Sequence, residues 1–157
     1  MSNVRPQQEQ RMLALAQSIA VLATTIFAGA AIYINLVEHP ARMGCPTEIA
    51  ATVWAPSYKR ATVMQASLAI VGALAGVAAW VLGASVAWLV GALFIFAVVP
   101  FTLIVIFPTN NRLLAPGRDL ASAETRELLV KWGKLHAIRS VLSFVASVIY
   151  VWQLVGV

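Results

Sequence analysis

Four long apolar stretches divide the chain, and short polar segments separate them. A helix needs about 20 mostly apolar residues to span a bilayer, and each stretch approaches or exceeds that length. The apolar residues run continuously and are rich in Ala and Leu, a pattern typical of helices rather than of half-buried strands. We therefore predict a single domain, residues 1–157, with an all-α fold: an integral membrane, up-down four-helix bundle. Its predicted spans are Met12–Val37, Ala61–Leu82, Val86–Phe107 and Ala137–Val155.

Composition supports a membrane protein. Of the 157 residues, 61% are hydrophobic and 11% are charged, whereas a soluble domain typically contains about 25% charged residues. The first stretch also resembles a signal peptide, because Arg5 and Arg11 precede it and the small residues 28–30 resemble a cleavage site. Since the stretch continues to Val37, beyond the usual apolar core of a signal peptide, we predict a retained span.

Basic residues are distributed unevenly over the two sides of the predicted bundle. The first and third loops share one side, and that side holds nine of the eleven Lys and Arg residues. Short loops rich in Lys and Arg stay in the cytoplasm, so we predict that these loops are cytoplasmic and both termini are outside the cell membrane. We expect the lipid bilayer as a partner and no nucleic acid, because a basic rim beside anionic headgroups explains the charge. The nine residues are Arg42, Lys59, Arg60, Arg112, Arg118, Arg126, Lys131, Lys134 and Arg139.

The segments around the spans carry further expectations. Three prolines and Gly44 predict an irregular first loop over residues 39–59, with a short interfacial helix at Ile49–Trp54. Helix formers run without interruption from Ser122, so we predict a long fourth helix that extends out of the bilayer. Pro100 should kink the third helix, either as a tolerated defect or to open space beneath the polar end of the bundle.

Small residues recur at four-residue spacing in the second and third helices. Gly72 and Gly76 form a G-x-x-x-G pair, and Gly83, Ala87 and Gly91 continue the spacing. This arrangement lets helix backbones approach closely in lipid. We favour packing within the bundle, and a homodimer is the alternative use of the same pattern.

Nearly all residues that can perform chemistry lie at one end of the four spans. In an up-down bundle, the ends of the first and third spans share one face with the beginnings of the second and fourth. We call this face the polar mouth. Asn35, His39 and Arg42 share one side of the first helix, because their spacing follows the helical repeat. The chemically active residues of the polar mouth are Glu38, His39, Tyr58, Lys59, Arg60, Gln65, Thr109, Asn110, Trp132, His136 and Arg139.

Five residues of the fourth helix share one face by their spacing, and three of them are polar: Leu128, Trp132, His136, Arg139 and Ser143. A charge at the bilayer centre costs about 2.5–3.5 kcal/mol on insertion scales, so Arg139 should face the bundle and find a partner there. Glu38, the only acidic residue at the end of the first span, is the predicted ion-pair partner. The positive charge of Arg139 favours a neutral His136, the form that a general base requires. Snorkelling at the interface without chemistry is the alternative for His136.

Two histidines and a glutamate raise the question of a metal ion. Two His and one carboxylate can bind iron or zinc, and two facing histidines can bind haem. However, Glu38 and His39 are adjacent, so their side chains diverge by about 100° on a helix, and no H-E-x-x-H motif is present. We therefore predict no cofactor and no metal, with His39 and His136 as the ligands if a metal or haem is bound. The single Cys45 forms no internal disulfide.

Five short segments combine residues in a specific order along nearly the whole chain. They are Glu38-His39-Pro40-Ala41, Tyr58-Lys59-Arg60-Ala61 with Met64-Gln65, Val99-Pro100-Phe101-Thr102, Phe107-Pro108-Thr109-Asn110 with Leu113, and Trp132 with Leu135-His136 and Arg139. Together these segments resemble the anthrone-oxygenase-like family of small membrane proteins. The resemblance implies a four-helix integral membrane fold and the oxygenation of an anthrone to an anthraquinone in polyketide pathways.

The resemblance and the residues together lead to an expected mechanism on a flat, lipophilic small molecule. His136 would remove a proton from the benzylic CH₂ of the anthrone, and Arg139 and Asn110 would stabilise the resulting oxyanion. Dioxygen dissolved in the apolar bundle would then react with the electron-rich anion. The substrate-binding residues would be Trp132, Trp54, Glu38, His39, Tyr58, Gln65 and Thr109.

Two other functions compete with the oxygenase. The first is a non-catalytic membrane module that binds a quinone, a lipid or haem, or an accessory subunit. The second is a small transporter, which ranks last because transporters usually show internal repeats or broken, polar-lined helices. No continuous polar path crosses the predicted membrane here. The sequence alone does not separate the enzyme from the binding module.

Overall fold

The structure, a computed structural model, describes residues 4–156 and the side chains of residues 6–156. Residues 1–3 and 157 of the predicted domain, and the side chain of Arg5, lie outside this part. Within it, the chain forms helices and no strands. The first helix consists of an α-helical segment Val4–Tyr33, a π-helical segment Ile34–Glu38 and an α-helical segment His39–Met43.

The remaining three helices follow after short connections. The second helix is Thr47–Val81 and the fourth is Ala123–Val155. The third helix consists of Val86–Phe101, a π-helical segment Thr102–Ile106 and a final segment Phe107–Leu113. The first and third helices each pack against the second and fourth. All four are long and apolar enough to cross a membrane, which confirms an all-α, multi-pass four-helix bundle.

The predicted irregular first loop is wrong, and so is the separate interfacial helix. The first helix continues to Met43 and the second begins at Thr47, so only residues 44–46 connect them. Pro40 lies just after the π-helical segment Ile34–Glu38, and the chain stays helical through it although proline removes one backbone donor. Pro56 lies inside the second helix. Local proline signals therefore mark perturbed helix here rather than loop.

The third helix departs from regular α-helical geometry just after Pro100, and the kink itself stays a prediction. Pro100 removes one backbone donor, and the π-helical segment begins two residues later, at Thr102. The hydroxyl of Thr102 donates to the carbonyl of Val98 at 2.7 Å. Proline and π-helical turns are the usual causes of helix distortion. The distortion lies in the half of the third helix that is nearer to the polar mouth.

The long fourth helix is confirmed. Ser122 caps it by accepting a hydrogen bond from the backbone N–H of Thr125 at 3.2 Å, as serine commonly does at a helix start. The helix then runs for 33 residues, to Val155. At about 1.5 Å per residue it is longer than the 30 Å hydrocarbon core. The fourth helix is therefore long enough to extend beyond the apolar layer.

Three apolar clusters follow one another along the bundle. One contains Trp54 and Trp132 at the polar mouth, one contains Phe27 and Val98 in the middle, and one contains Tyr150 at the far end. A layer of polar side chains lies between the first two clusters. Its buried members are Gln65, His136, Arg139 and Ser140, and Asn35 is partly buried beside them.

Small residues close the far end of the bundle. A Cβ atom at Gly91 would lie 2.7 Å from Cδ1 of Tyr150, and one at Gly76 would lie 2.8 Å from Cζ of the same ring. The Tyr150 ring also stacks on Trp88, with ring centroids 5.0 Å apart. Gly76 and Gly91 therefore make room for Tyr150 by packing within the bundle, whereas an added Cβ at Gly83 would meet nothing within 4 Å.

Candidate functional site

A pocket opens at the polar mouth between the first, second and fourth helices. Its empty volume is about 330 Å³, counting the space at its open end. Seven of the ten predicted site residues line it: Glu38, Trp54, Tyr58, Gln65, Trp132, His136 and Arg139. We call this cavity the mouth pocket. The remaining lining residues are Ile34, Arg42, Ser57, Ala61 and Thr62.

His136 is held by a hydrogen-bond network centred on Asn35. Asn35 Nδ2 donates to the backbone carbonyl of Gly133 at 3.0 Å, and Asn35 Oδ1 accepts from the hydroxyl of Ser140 at 2.7 Å. These two bonds fix the orientation of the amide, so Oδ1 also faces His136 Nδ1 at 2.6 Å. Nδ1 must then carry the proton in the neutral ring. The lone pair of His136 therefore lies on Nε2.

The predicted ion pair between Glu38 and Arg139 is wrong. Arg139 donates through its terminal nitrogen to Gln65 Oε1 at 2.8 Å. Its guanidinium also lies over the Phe27 ring, 5.5 Å from the centroid. Glu38 instead forms an ion pair with Arg42, four residues later on the same helix. The shorter sequence separation explains the preference, because residues four apart on a helix are neighbours.

Aromatic rings form the apolar walls of the mouth pocket. Trp54 and Tyr58 stack nearly parallel, with centroids 5.0 Å apart and an angle of 5° between their planes. Trp132 meets Trp54 edge-on at 5.7 Å and lies 4.8 Å from the ring of His136. Such rings present broad faces with few degrees of freedom, a suitable wall for a flat ligand.

Three predicted site residues do not line the pocket. Asn110 donates through Nδ2 to the hydroxyl of Tyr58 at 3.0 Å, so it supports a wall residue rather than facing the cavity. Thr109 is buried beside it, 2% exposed. His39 lies behind Trp132, with ring centroids 5.2 Å apart. His39 also fills the space of a missing side chain, because a Cβ at Gly133 would lie 2.6 Å from its Cδ2.

Four buried N–H groups on the lining residues have no hydrogen-bond partner: Trp54 Nε1, Gln65 Nε2, Arg139 Nε and Arg42 Nε. An unsatisfied buried donor costs about 1–3 kcal/mol, and more when the group is charged. All four are donors, and two belong to cations. The mouth pocket therefore suits a ligand with an electron-rich, acceptor oxygen.

The histidines offer little for a metal ion. Among residues 6–156, no three His, Cys, Asp or Glu side chains lie close enough to hold one. Nδ1 of His136 is already engaged by Asn35, so only Nε2 is open to a ligand. The ring of His39, on the first helix, and the ring of His136, on the fourth helix, both lie against Trp132.

Sequence reasoning missed the roles of Asn35, Ser140 and Arg42. The available signal was their polarity within apolar helical stretches, since polar groups inside a membrane usually pair with each other. The sequence places Asn35 and Arg42 on the same helix face as His39. The partners of Asn35 lie on the fourth helix, and the partner of Arg42 is Glu38, which the sequence analysis pairs with Arg139. Pairing across helices depends on rotation and register, which spacing on one helix does not supply.

Comparison with known proteins supports the family resemblance. The family profile described as anthrone oxygenase matches residues 54–149, more than half of the chain. Anthrone oxygenase of Claviceps purpurea is 27% identical over 145 residues, which are 83% of each chain. Anthrone oxygenase tpcL of Aspergillus fumigatus is 43% identical over 61 residues, 37% of this chain and 38% of that protein.

A further relative, anthrone oxygenase ptaC of Pestalotiopsis fici, is 44% identical over 61 residues, 33% of this chain and 43% of that protein. The two shorter matches thus span less than half of those relatives, whereas the Claviceps match spans most of both chains. No solved structure matches the chain. The profile match covers the second helix from Trp54, the third helix and most of the fourth. The chain belongs to the anthrone oxygenase family.

Proposed function

We propose that this protein is an oxygenase that converts an anthrone-like substrate to the corresponding anthraquinone in the mouth pocket. The observation that carries the proposal is the combination of four unpartnered N–H donors with an imidazole whose lone pair is on Nε2. A reaction that forms an oxyanion by loss of a carbon-bound proton needs both features. The names of the relatives agree with this chemistry.

The chemical groups of an anthrone complement the side chains of the proposed site. It is a flat, three-ring molecule with a carbonyl on one edge of its central ring and a CH₂ on the opposite edge. The rings would lie against Trp54, Tyr58 and Trp132, which stack or meet edge-on around the pocket. The carbonyl oxygen would accept from the guanidinium of Arg139 and the amide of Gln65. The CH₂ would face His136.

The first proposed step is proton removal. Nε2 of His136 takes one proton from the CH₂, and the electron pair moves through the central ring to the carbonyl oxygen. The product is an aromatic oxyanion, whose charge the donors of Arg139, Gln65 and Trp54 stabilise. Each well-placed donor of this kind contributes about 3–4 kcal/mol in enzymes that bind oxyanions. Asn110 takes a positioning role, because its amide holds the Tyr58 hydroxyl.

Oxygenation follows from the electron-rich anion. One electron passes to dioxygen, and the two radicals combine to form a C–O bond. The resulting peroxide anion of the substrate takes the proton from His136 and becomes a hydroperoxide. His136 then removes the second CH proton, the O–O bond breaks, and the departing hydroxide takes that proton to form water. One anthrone and one dioxygen thus give one anthraquinone and one water. Because the substrate anion supplies all the electrons, the proposed reaction uses no cofactor.

Substitution of His136 tests the base assignment. H136Q keeps an amide donor for Asn35 but removes the lone pair, so turnover of 1,8-dihydroxyanthrone should fall by about 10²–10⁴-fold. H39Q is the matched control, because His39 lies outside the mouth pocket, and it should retain most of the activity. Full activity of H136Q would contradict the assignment. Equal loss in both variants, with stoichiometric metal in the wild type, would favour a histidine-ligated metal or haem instead.

A quinone-binding membrane module is the second candidate function. The same unpartnered donors favour it, because carbonyl oxygens of a quinone are also acceptors. Tight binding of an anthraquinone without any turnover of the anthrone would select this alternative.

We also propose that the polar mouth faces the cytoplasm and that both termini lie outside. The support is the distribution of Lys and Arg, because nine of the eleven lie toward the polar-mouth end of the bundle and such residues favour the cytoplasmic side. In this orientation the substrate reaches the mouth pocket from the cytoplasm or from the inner leaflet.

A further inference from the structure

A second cavity lies between the second and third helices and shares a wall with the mouth pocket. Thr62, Gln65 and Arg139 line both cavities. The second cavity has an empty volume of about 450 Å³, including its open side. We call it the side pocket. Its other lining residues are Phe27, Ala66, Ala69, Val98, Val99, Thr102, Leu103 and Phe107.

The side pocket is apolar apart from the shared wall. Its floor is formed by Phe27, Ala69 and Val98, each at most 2% exposed. The one additional hydroxyl, that of Thr102, donates to the carbonyl of Val98, so it offers no free donor. Apolar cavities of this kind remain free of water and accept small apolar molecules such as xenon.

The rim of the side pocket lies on the outer surface of the bundle. Ala66, Leu103 and Phe107 are exposed there, on helices that are apolar enough to cross the membrane. The opening therefore faces the acyl chains rather than water. The distorted part of the third helix, Thr102–Ile106, forms one edge of this opening.

We infer that the side pocket is the binding site and entry route for dioxygen. The inference rests on the proposed oxygenase function and deepens it, because it separates the path of the gas from that of the organic substrate. Dioxygen is apolar and more soluble in hydrocarbon than in water, so a pocket open to lipid samples the richer reservoir. Thr62, Gln65 and Arg139 form the shared wall between this pocket and the place where the substrate anion forms. Their positive edge also favours the anionic oxygen species produced on reduction.

The test blocks the opening of the side pocket by mutation and measures KM for dioxygen and KM for the anthrone separately. Ala66→Phe places a ring in the opening, whereas Ala78→Phe adds the same ring at an exposed position of the same helix that lines neither pocket. With protein in nanodiscs, A66F should raise KM for dioxygen severalfold and leave KM for the anthrone unchanged. A78F should change neither constant.

A second readout does not depend on activity. Dissolved dioxygen is paramagnetic and broadens NMR signals of methyl groups that it approaches. The Val98 methyls should relax faster under oxygen than those of Leu129, which is equally buried in another apolar cluster. The difference should disappear in A66F and persist in A78F.

Three results would overturn the inference. Equal oxygen relaxation of Val98 and Leu129 would mean that dioxygen does not enter the side pocket. A rise in KM for the anthrone, with KM for dioxygen unchanged, would make the pocket the entrance for the organic substrate. Broadening of Val98 by a spin-labelled acyl chain, as strong as by oxygen, would make lipid the occupant. Absence of any turnover in the wild type would refute the proposed function, while the relaxation experiment would still decide whether dioxygen binds.

Discussion

Asn35→Ala is the perturbation that most directly separates positioning from chemistry. The change removes three hydrogen bonds between the first and fourth helices: to Gly133, from Ser140 and with His136. Interhelical hydrogen bonds in a bilayer average about 0.6 kcal/mol each, so the bundle should lose about 2 kcal/mol of stability. Ser140→Ala is the matched control, because it removes one of these bonds and leaves the bond between Asn35 and His136 intact.

The catalytic effect of Asn35→Ala follows from the imidazole tautomer. A neutral hydrogen bond of about 1 kcal/mol biases the tautomer ratio toward Nδ1 by roughly fivefold. Its loss should lower the population of the Nδ1-protonated ring, and kcat/KM with it, by about two- to threefold and by no more than about fivefold. That loss is far smaller than the loss expected on removal of the base itself. Nitrogen chemical shifts of His136 report the tautomer directly. They should show a larger share of Nε2 protonation in N35A than in the wild type and in S140A.

The double variant N35A/H136Q decides whether Asn35 acts through His136. If it does, the double variant should be no slower than H136Q alone, because residues that work as a unit are not additive. Multiplication of the two separate losses would refute the reasoning and would give Asn35 an independent role at the substrate.

The remaining predictions concern packing and orientation. Gly91→Ala should destabilise the bundle by about 1–3 kcal/mol through overpacking against Tyr150, measured by thermal unfolding in detergent. Gly29→Ala, where nothing lies within 4 Å of the added Cβ, should stabilise the helix by up to about 1 kcal/mol, and equal destabilisation by both changes would contradict the packing argument. Cys45 is exposed in the short connection beside the polar mouth. A membrane-impermeant maleimide should label it only after the cells are permeabilised; labelling of intact cells would reverse the proposed orientation.

The fold was predictable because membrane-spanning helices can be identified from the length and composition of their apolar stretches. Continuous apolar stretches of about 20 residues leave few alternatives in lipid. The helix ends were less predictable, since Pro40 and Pro56 suggest a loop locally while the neighbouring helices hold the chain helical. The π-helical segments adjust the backbone where proline removes a donor, a compensation that depends on tertiary packing.

The site was predictable as a location and less so as a set of contacts. Placement of polar residues at one end of the spans brought His136, Arg139, Trp132 and Gln65 to one pocket. The partner of Arg139 was not predictable, because an acid and an amide were both within reach on different helices. Which of the two pairs with Arg139 depends on the register between the helices. Glu38 pairs with Arg42 on its own helix, and Arg139 pairs with Gln65.

Isotopic labelling with ¹⁸O₂ tests the proposed oxygenase activity most directly. Purified wild-type protein in nanodiscs would receive 1,8-dihydroxyanthrone and ¹⁸O₂, with H136Q as the control for spontaneous oxidation. The proposal predicts one ¹⁸O atom in the new carbonyl of the anthraquinone, one dioxygen consumed per anthrone, and a rate well above that of H136Q. Product formed no faster than with H136Q, or a new carbonyl oxygen derived from water, would contradict it.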